Sequence, residues 1–151
     1  MKKSYPIIHL LLRYSIGIGF LLPVMDRLGY FGAPGETNVI WGNWTSFVAY
    51  THQLMPYVNL KTASFFGFLA TAIEIICGIL LLVGYQVRYA ALASFGLTFI
   101  FAISMMFFLH FRAPFNFSVF VVSFSSLLLS ALPYYSWGTD NYFYHNHKSH
   151  Q

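Results

Sequence analysis

Four long stretches of the chain are apolar almost without interruption, and polar positions gather between them. The stretches cover about residues 6–25, 63–84, 89–109 and 115–132. Each is near the length of about 20 apolar residues that a helix needs to cross hydrocarbon. Pro6 suits a first helical turn, and Pro133 closes the last stretch. Short connections join the second, third and fourth, so these are predicted to be antiparallel neighbours. The first connection, 26–62, is different. Gly29, Gly32, Pro34 and Gly35 open it with turn chemistry. Trp44, Phe47, Tyr50 or Thr51, and Leu54 then fall on one helical face. This periodicity predicts a short amphipathic helix over 44–55. It reads either as an anchor in the membrane interface or as a lid over the bundle mouth.

Composition agrees with a lipid-covered surface. Of 151 residues, 58% are hydrophobic, 21% aromatic and 8% charged, whereas a soluble domain carries about 25% charged residues. The expected architecture is an all-α membrane protein: one domain, 1–151, folded as a four-helix antiparallel bundle with one interfacial helix. Net charge is +4, but Lys2-Lys3 is the longest basic run, so nucleic acid is not an expected partner. Lys2, Lys3, Arg88 and Lys148 on one side, against Arg27, Lys61 and Arg112 on the other, favour both termini inside a bacterial inner membrane. The first stretch lacks an A-x-A-like cleavage site and reads as an uncleaved span.

Two charges lie well inside apolar stretches, Arg13 and Glu74. A charge at mid-bilayer costs about 2.5–3.5 kcal/mol on insertion scales, so each needs a partner, a proton or a ligand. Counting rise per residue puts Arg13 ~10 Å and Glu74 ~15 Å from the inner edge, an offset of ~5 Å that an arginine side chain spans. Gly67, Thr71, Glu74, Gly78 and Leu81 share one stripe of the second span, and Arg13, Gly17 and Phe20 line up on the first. Small residues in such stripes let helices approach closely. An Arg13–Glu74 pair is therefore expected inside the bundle. It reads either as a structural pin or as a site where Glu74 carries a proton or bonds a ligand head group such as a quinone carbonyl.

A second constellation is expected at the outer rim. Asp26, Arg27, His110, Arg112 and Asn116 end or open spans there, with His52 and Lys61 from the first loop. It reads as solvated helix ends or as a polar entrance for an anion or head group. A bis-histidine haem is excluded because His9 and His110 belong to opposite edges, and no metal is expected. His145, His147 and His150 read as a polar tail, and the lone Cys77 as helix packing. No CxxC pair exists for self-contained dithiol chemistry.

The arrangement resembles the DoxX-like membrane proteins. Leu-Leu-Arg13-Tyr-Ser-Ile-Gly-Ile-Gly-Phe is similar to that family's arginine- and glycine-bearing first helix. The run Ala72-Ile-Glu74 through Gly78 and Gly84 to Arg88 resembles its glutamate, two glycines and arginine. Asn116 and Ser136-Trp-Gly-Thr-Asp140 fit weaker parts of the pattern. The family's glycine-lysine ending of the first helix reads here as Met25-Asp26-Arg27, with Arg27 a candidate for the lysine's place. The first loop also looks long and aromatic-rich. The resemblance implies an accessory membrane subunit, as in thiosulfate:quinone oxidoreductase, or a member of a thiol-redox assembly. It implies lipid, quinone and a partner protein or second copy as the molecules it meets, with no intrinsic redox centre. The alternatives from other classes are a small carrier for a hydrophobic or anionic solute, and a structural subunit that docks a partner through the aromatic loop.

Overall fold

The computed structural model describes residues 6–132. Lys2-Lys3, the 136–140 segment, Lys148 and the tail histidines lie outside them. Six helices succeed one another: α1 (Pro6–Arg27), α2 (Trp44–Leu54), α3 (Leu60–Val83), α4 (Val87–Phe108), α5 (Ala113–Asn116) and α6 (Val119–Ser130). α1, α3 and α4 are long and apolar enough to cross a membrane. α1 packs on α3, α3 on α4, α4 on α6 and α6 on α1, while α2 sits across α3 and α4 at the end of the bundle that carries the long loop.

The fourth predicted span is corrected. The apolar run 115–132 is not one helix: it breaks at Phe117 and Ser118, where Ser118 adopts a left-handed conformation with φ 54°. Beyond the break, α6 has 12 residues and covers about 18 Å, against a hydrocarbon core of about 30 Å. Asn116 and Ser118 flank the break, but serines recur along the whole run and its average hydropathy stays apolar, so a windowed pattern does not mark the break.

Helix boundaries have local causes. Asn43 caps α2 by accepting from Ser46 N at 2.8 Å, and Asn59 caps α3 by accepting from Thr62 N at 2.8 Å. Gly84 ends α3 in the left-handed region, φ 77°, with its N–H on the Leu80 carbonyl. α1 and α3 cross at Gly17 and Gly78, as the small-residue stripes predict. A Cβ at Gly17 would lie 3.1 Å from the Gly78 carbonyl oxygen, so backbone meets backbone with no room for a side chain. Gly17→Val is expected to cost about 1–3 kcal/mol through overpacking, read as a lowered unfolding midpoint in detergent.

Apolar packing divides into two layers. Ile16, Phe20, Cys77, Leu81, Ala91 and Leu129 fill the half nearer the N-terminus. Leu54, Met105 and Ala113, with Tyr50 and Phe101 against them, fill the loop end. Between α4 and α6 lies a seam of hydroxyls. Ser94 donates to Ala90 O at 2.8 Å, Thr98 to Ser94 O at 2.7 Å, and Ser123 Oγ lies 2.9 Å from Thr98 Oγ1. Their small side chains permit close approach, and their protons are satisfied locally. Away from the core, Phe95, Phe99, Phe120 and Phe124 pack ring on ring along α4 and α6.

Candidate functional site

Glu74 is buried in α3, and its partner is Arg27: Nη1 lies 2.7 Å from Glu74 Oε2. The expected pairing with Arg13 is thereby corrected, and the geometry explains why. Gly17 and Gly78 set the level at which α1 and α3 cross. Arg27 is ten residues above that level and Glu74 four, about 15 Å and about 6 Å along the axes. Arg13 is four residues below it, about 6 Å. Helical side chains lean toward the N-terminus of their own helix. α1 rises to the loop end, so Arg27 leans back into the bundle. α3 runs the other way, so Glu74 leans up to meet it. Arg13 leans away from both. It is buried in the lower half of α1, with its guanidinium 5.5 Å from the Tyr14 ring.

Arg27 is held on every side. Nε donates to Pro23 O at 3.1 Å, one turn back on its own helix. Nη1 also donates to Thr71 Oγ1 at 2.8 Å, and that hydroxyl donates on to Gly67 O. The guanidinium carbon stands 3.9 Å from the Phe47 ring centroid and 5.1 Å from that of Trp41. These are cation–π distances. The residue is 2% exposed, yet Nη2 has no hydrogen bond among the described residues. The contact to Glu74 is an ion contact off the hydrogen-bond axis, which leaves Oε2 without an aligned donor. Nη2 thus remains a donor without a partner among the described residues, while Oε2 is enclosed against Nη1.

Arg27 and Glu74 both face a cavity of about 340 Å³, within the lower range of small-molecule sites. Its lining is mostly apolar: Phe20, Pro23, Ile40, Phe101, Met105, Phe117, Val119 and Val122, with Trp41, Phe47 and Tyr50 from the loop and α2. Thr98, the top of the hydroxyl seam, is the other polar contribution from the spans. Burial pushes the Tyr50 phenol above its ordinary value, so it stays a neutral hydroxyl.

α2 spans the predicted 44–55 almost residue for residue, and its apolar face turns into the bundle. Phe47, Val48, Thr51 and Leu54 are buried, and a Cβ at Gly67 would come 3.1 Å from the Phe47 ring. This face covers the loop end of the bundle against α3 and α4, an arrangement that the lid reading describes. Asp26 fixes the strand of loop that completes it, accepting from Trp41 N at 2.8 Å and Ile40 N at 3.3 Å. Gly42, at φ 66°, makes the tight return after that strand. A Cβ there would be 2.6 Å from Pro34 N, so only glycine fits.

The remaining candidates are dispersed. Gly17 and Gly78 form the helix crossing, and Thr71 holds Arg27. His110, Arg112 and Asn116 are exposed and do not line the cavity. Lys61 is exposed, and His52 Nε2 contacts Val58 O at 2.9 Å. Among the described residues, no three His, Cys, Asp or Glu side chains converge on a metal-sized space. The contributions that sequence reasoning missed are Trp41, Phe47 and Tyr50 as cavity walls and Thr98 as a polar floor. The aromatic spacing of the loop was the available signal for the first three.

The DoxX family model matches residues 8–111. The chain belongs to the DoxX family. The match takes in α1 to α4 and with them the Arg27–Glu74 pair, and it stops short of α5 and α6. With three helices of spanning length, this DoxX protein is a multi-pass membrane protein. No curated protein and no solved structure matches the chain.

Proposed function

We propose that this DoxX protein binds a neutral-headed membrane amphiphile, with a quinone as the best fit, and presents it to a partner that supplies sulfur or thiol redox chemistry. The observation that carries this reading is the Arg27–Glu74 pair set into one wall of an otherwise apolar cavity. Arg27 Nη2 is a donor for a quinone carbonyl. The Glu74 carboxylate is an acceptor for the hydroxyl of the corresponding quinol, and a group through which a proton can be passed. One wall therefore suits both redox forms.

Charge argues for a neutral head. The guanidinium is already balanced by Glu74, and an incoming anion would face a carboxylate. The anionic-solute alternative drew on the rim cations, and Arg112 and Lys61 stand exposed, away from the cavity lining. The absence of CxxC suits a subunit whose electrons come from elsewhere. A bacterial inner membrane with both termini cytoplasmic belongs to the same proposal and rests on the distribution of positive residues.

Glu74→Gln tests the site. The variant keeps the size of the side chain and removes the charged acceptor. Hydrogen bonds to charged groups contribute about 1.5–3 kcal/mol, so affinity for decylubiquinol is expected to fall about 10- to 100-fold. Titration of purified protein in detergent reads this, with membrane insertion checked in parallel. Unchanged affinity would remove Glu74 from the site.

A further inference from the structure

Resting on the quinone reading, we infer that the cavity opens sideways into the hydrocarbon between α1 and α6, with Gly19 as its threshold, and that its ligand is recognised with a long apolar tail passing through that opening. Gly19 both lines the cavity and is exposed on the bundle surface. A Cβ placed there meets nothing within 4 Å. A residue that meets both the cavity and the surface, with no side chain between them, is what a threshold requires.

Every cavity-lining residue beside that opening is apolar. Pro23 stands one turn above Gly19 on α1. Val119 and Val122, both half-buried, face it from α6, with Phe117 at the break before that helix. Ile40 closes the loop side, and it and Phe117 are 62% and 58% exposed. The polar groups, Arg27, Glu74 and Thr98, are buried behind them. A water-borne solute would have to pass a rim that offers it no hydrogen bond. A membrane-dissolved molecule passes it head first and leaves its tail among the lipids. The volume points the same way: about 340 Å³ is near the lower limit for small-molecule sites and holds a ring-sized head with only the beginning of a tail. The break at Ser118 has a role here, because a continuous fourth helix would carry its side chains across this gap.

Gly19→Leu puts a branched side chain in the opening at a position with room for it. The probes are decylubiquinone and its tailless benzoquinone head, titrated against purified protein. Gly96→Leu is the control, since Gly96 is also helical with open space at its Cβ but does not line the cavity. Gly19→Leu is expected to weaken decylubiquinone at least tenfold and the tailless head less than twofold, with Gly96→Leu unchanged for both. Equal losses for the two probes, or no loss, would overturn the inference. A second measurement is independent of the ligand. A spin label on Gly19→Cys, in a Cys77→Ser background in lipid nanodiscs, is expected to relax more readily with oxygen than with a water-soluble nickel chelate. The reverse order would show an aqueous mouth and overturn the portal even if quinone binds. Failure of the wild-type protein to bind either quinone would instead remove the quinone reading, and the spin-label result alone would then decide the portal.

Discussion

Arg27→Met should destabilise the protein by about 3–5 kcal/mol, the loss found when one partner of a buried ion pair is removed. The substitution keeps most of the apolar stem. It leaves Glu74 buried without its counter-charge and removes the side-chain hydrogen bonds to Thr71 Oγ1 and Pro23 O. Replacing Glu74 as well, in Arg27→Met with Glu74→Leu, should restore much of that loss, because an apolar pair of similar volume is often neutral or stabilising in such places. Ligand binding should be absent from both variants. Reversible unfolding in mixed micelles gives the stabilities, and the decylubiquinone titration gives the binding. A double variant as unstable as the single would show that the pair's importance lies in something other than mutual charge compensation. A double variant that is stable and still binds would place the ligand elsewhere.

Phe47→Ala is the second large effect. The ring is 2% exposed, lies under the Arg27 guanidinium, and packs against Trp41 and Trp44. Truncating a buried phenylalanine costs about 3–5 kcal/mol, and a desolvated cation–π contact adds about 2 kcal/mol or more. α2 carries only 11 residues, too few to persist as a helix without packing. The loss should therefore appear as release of the lid before the spans unfold. Amide hydrogen exchange over 44–54 should rise sharply, with exchange in α3 and α4 little changed. Uniform acceleration across all helices would mean that α2 is not a separable lid.

Much of this arrangement was legible in the sequence, and each exception has a physical cause. α2 was readable because its apolar face repeats at helical spacing. Glu74 was readable as an acid in an apolar run, and Gly17 and Gly78 as small residues on facing stripes. The partner of Glu74 was misread because heights were counted from assumed span ends, which put Arg13 too close, and without the direction of each side chain. Along the bundle axis, Arg13 and Arg27 stand at comparable distances from Glu74. The lean of side chains on oppositely directed helices decides between them. The fourth span was misread because hydropathy integrates over a window, and a single left-handed residue, Ser118, leaves the average untouched. The hydroxyl seam of Ser94, Thr98 and Ser123 was signalled only by serines and threonines in apolar helices, a pattern that does not say which helices will face each other.

Arg27 stands where the family resemblance leads one to look for lysine, and the loop that covers it is rich in rings. These two peculiarities belong together. A guanidinium is flat, and Phe47 and Trp41 give its faces something to lie against while its edge serves Pro23, Thr71 and Glu74. An ammonium is round, strongly hydrated and has no such faces. The aromatic loop and the arginine are therefore matched to each other in shape, and a lysine here would forgo the flat contact and most of the edge bonds.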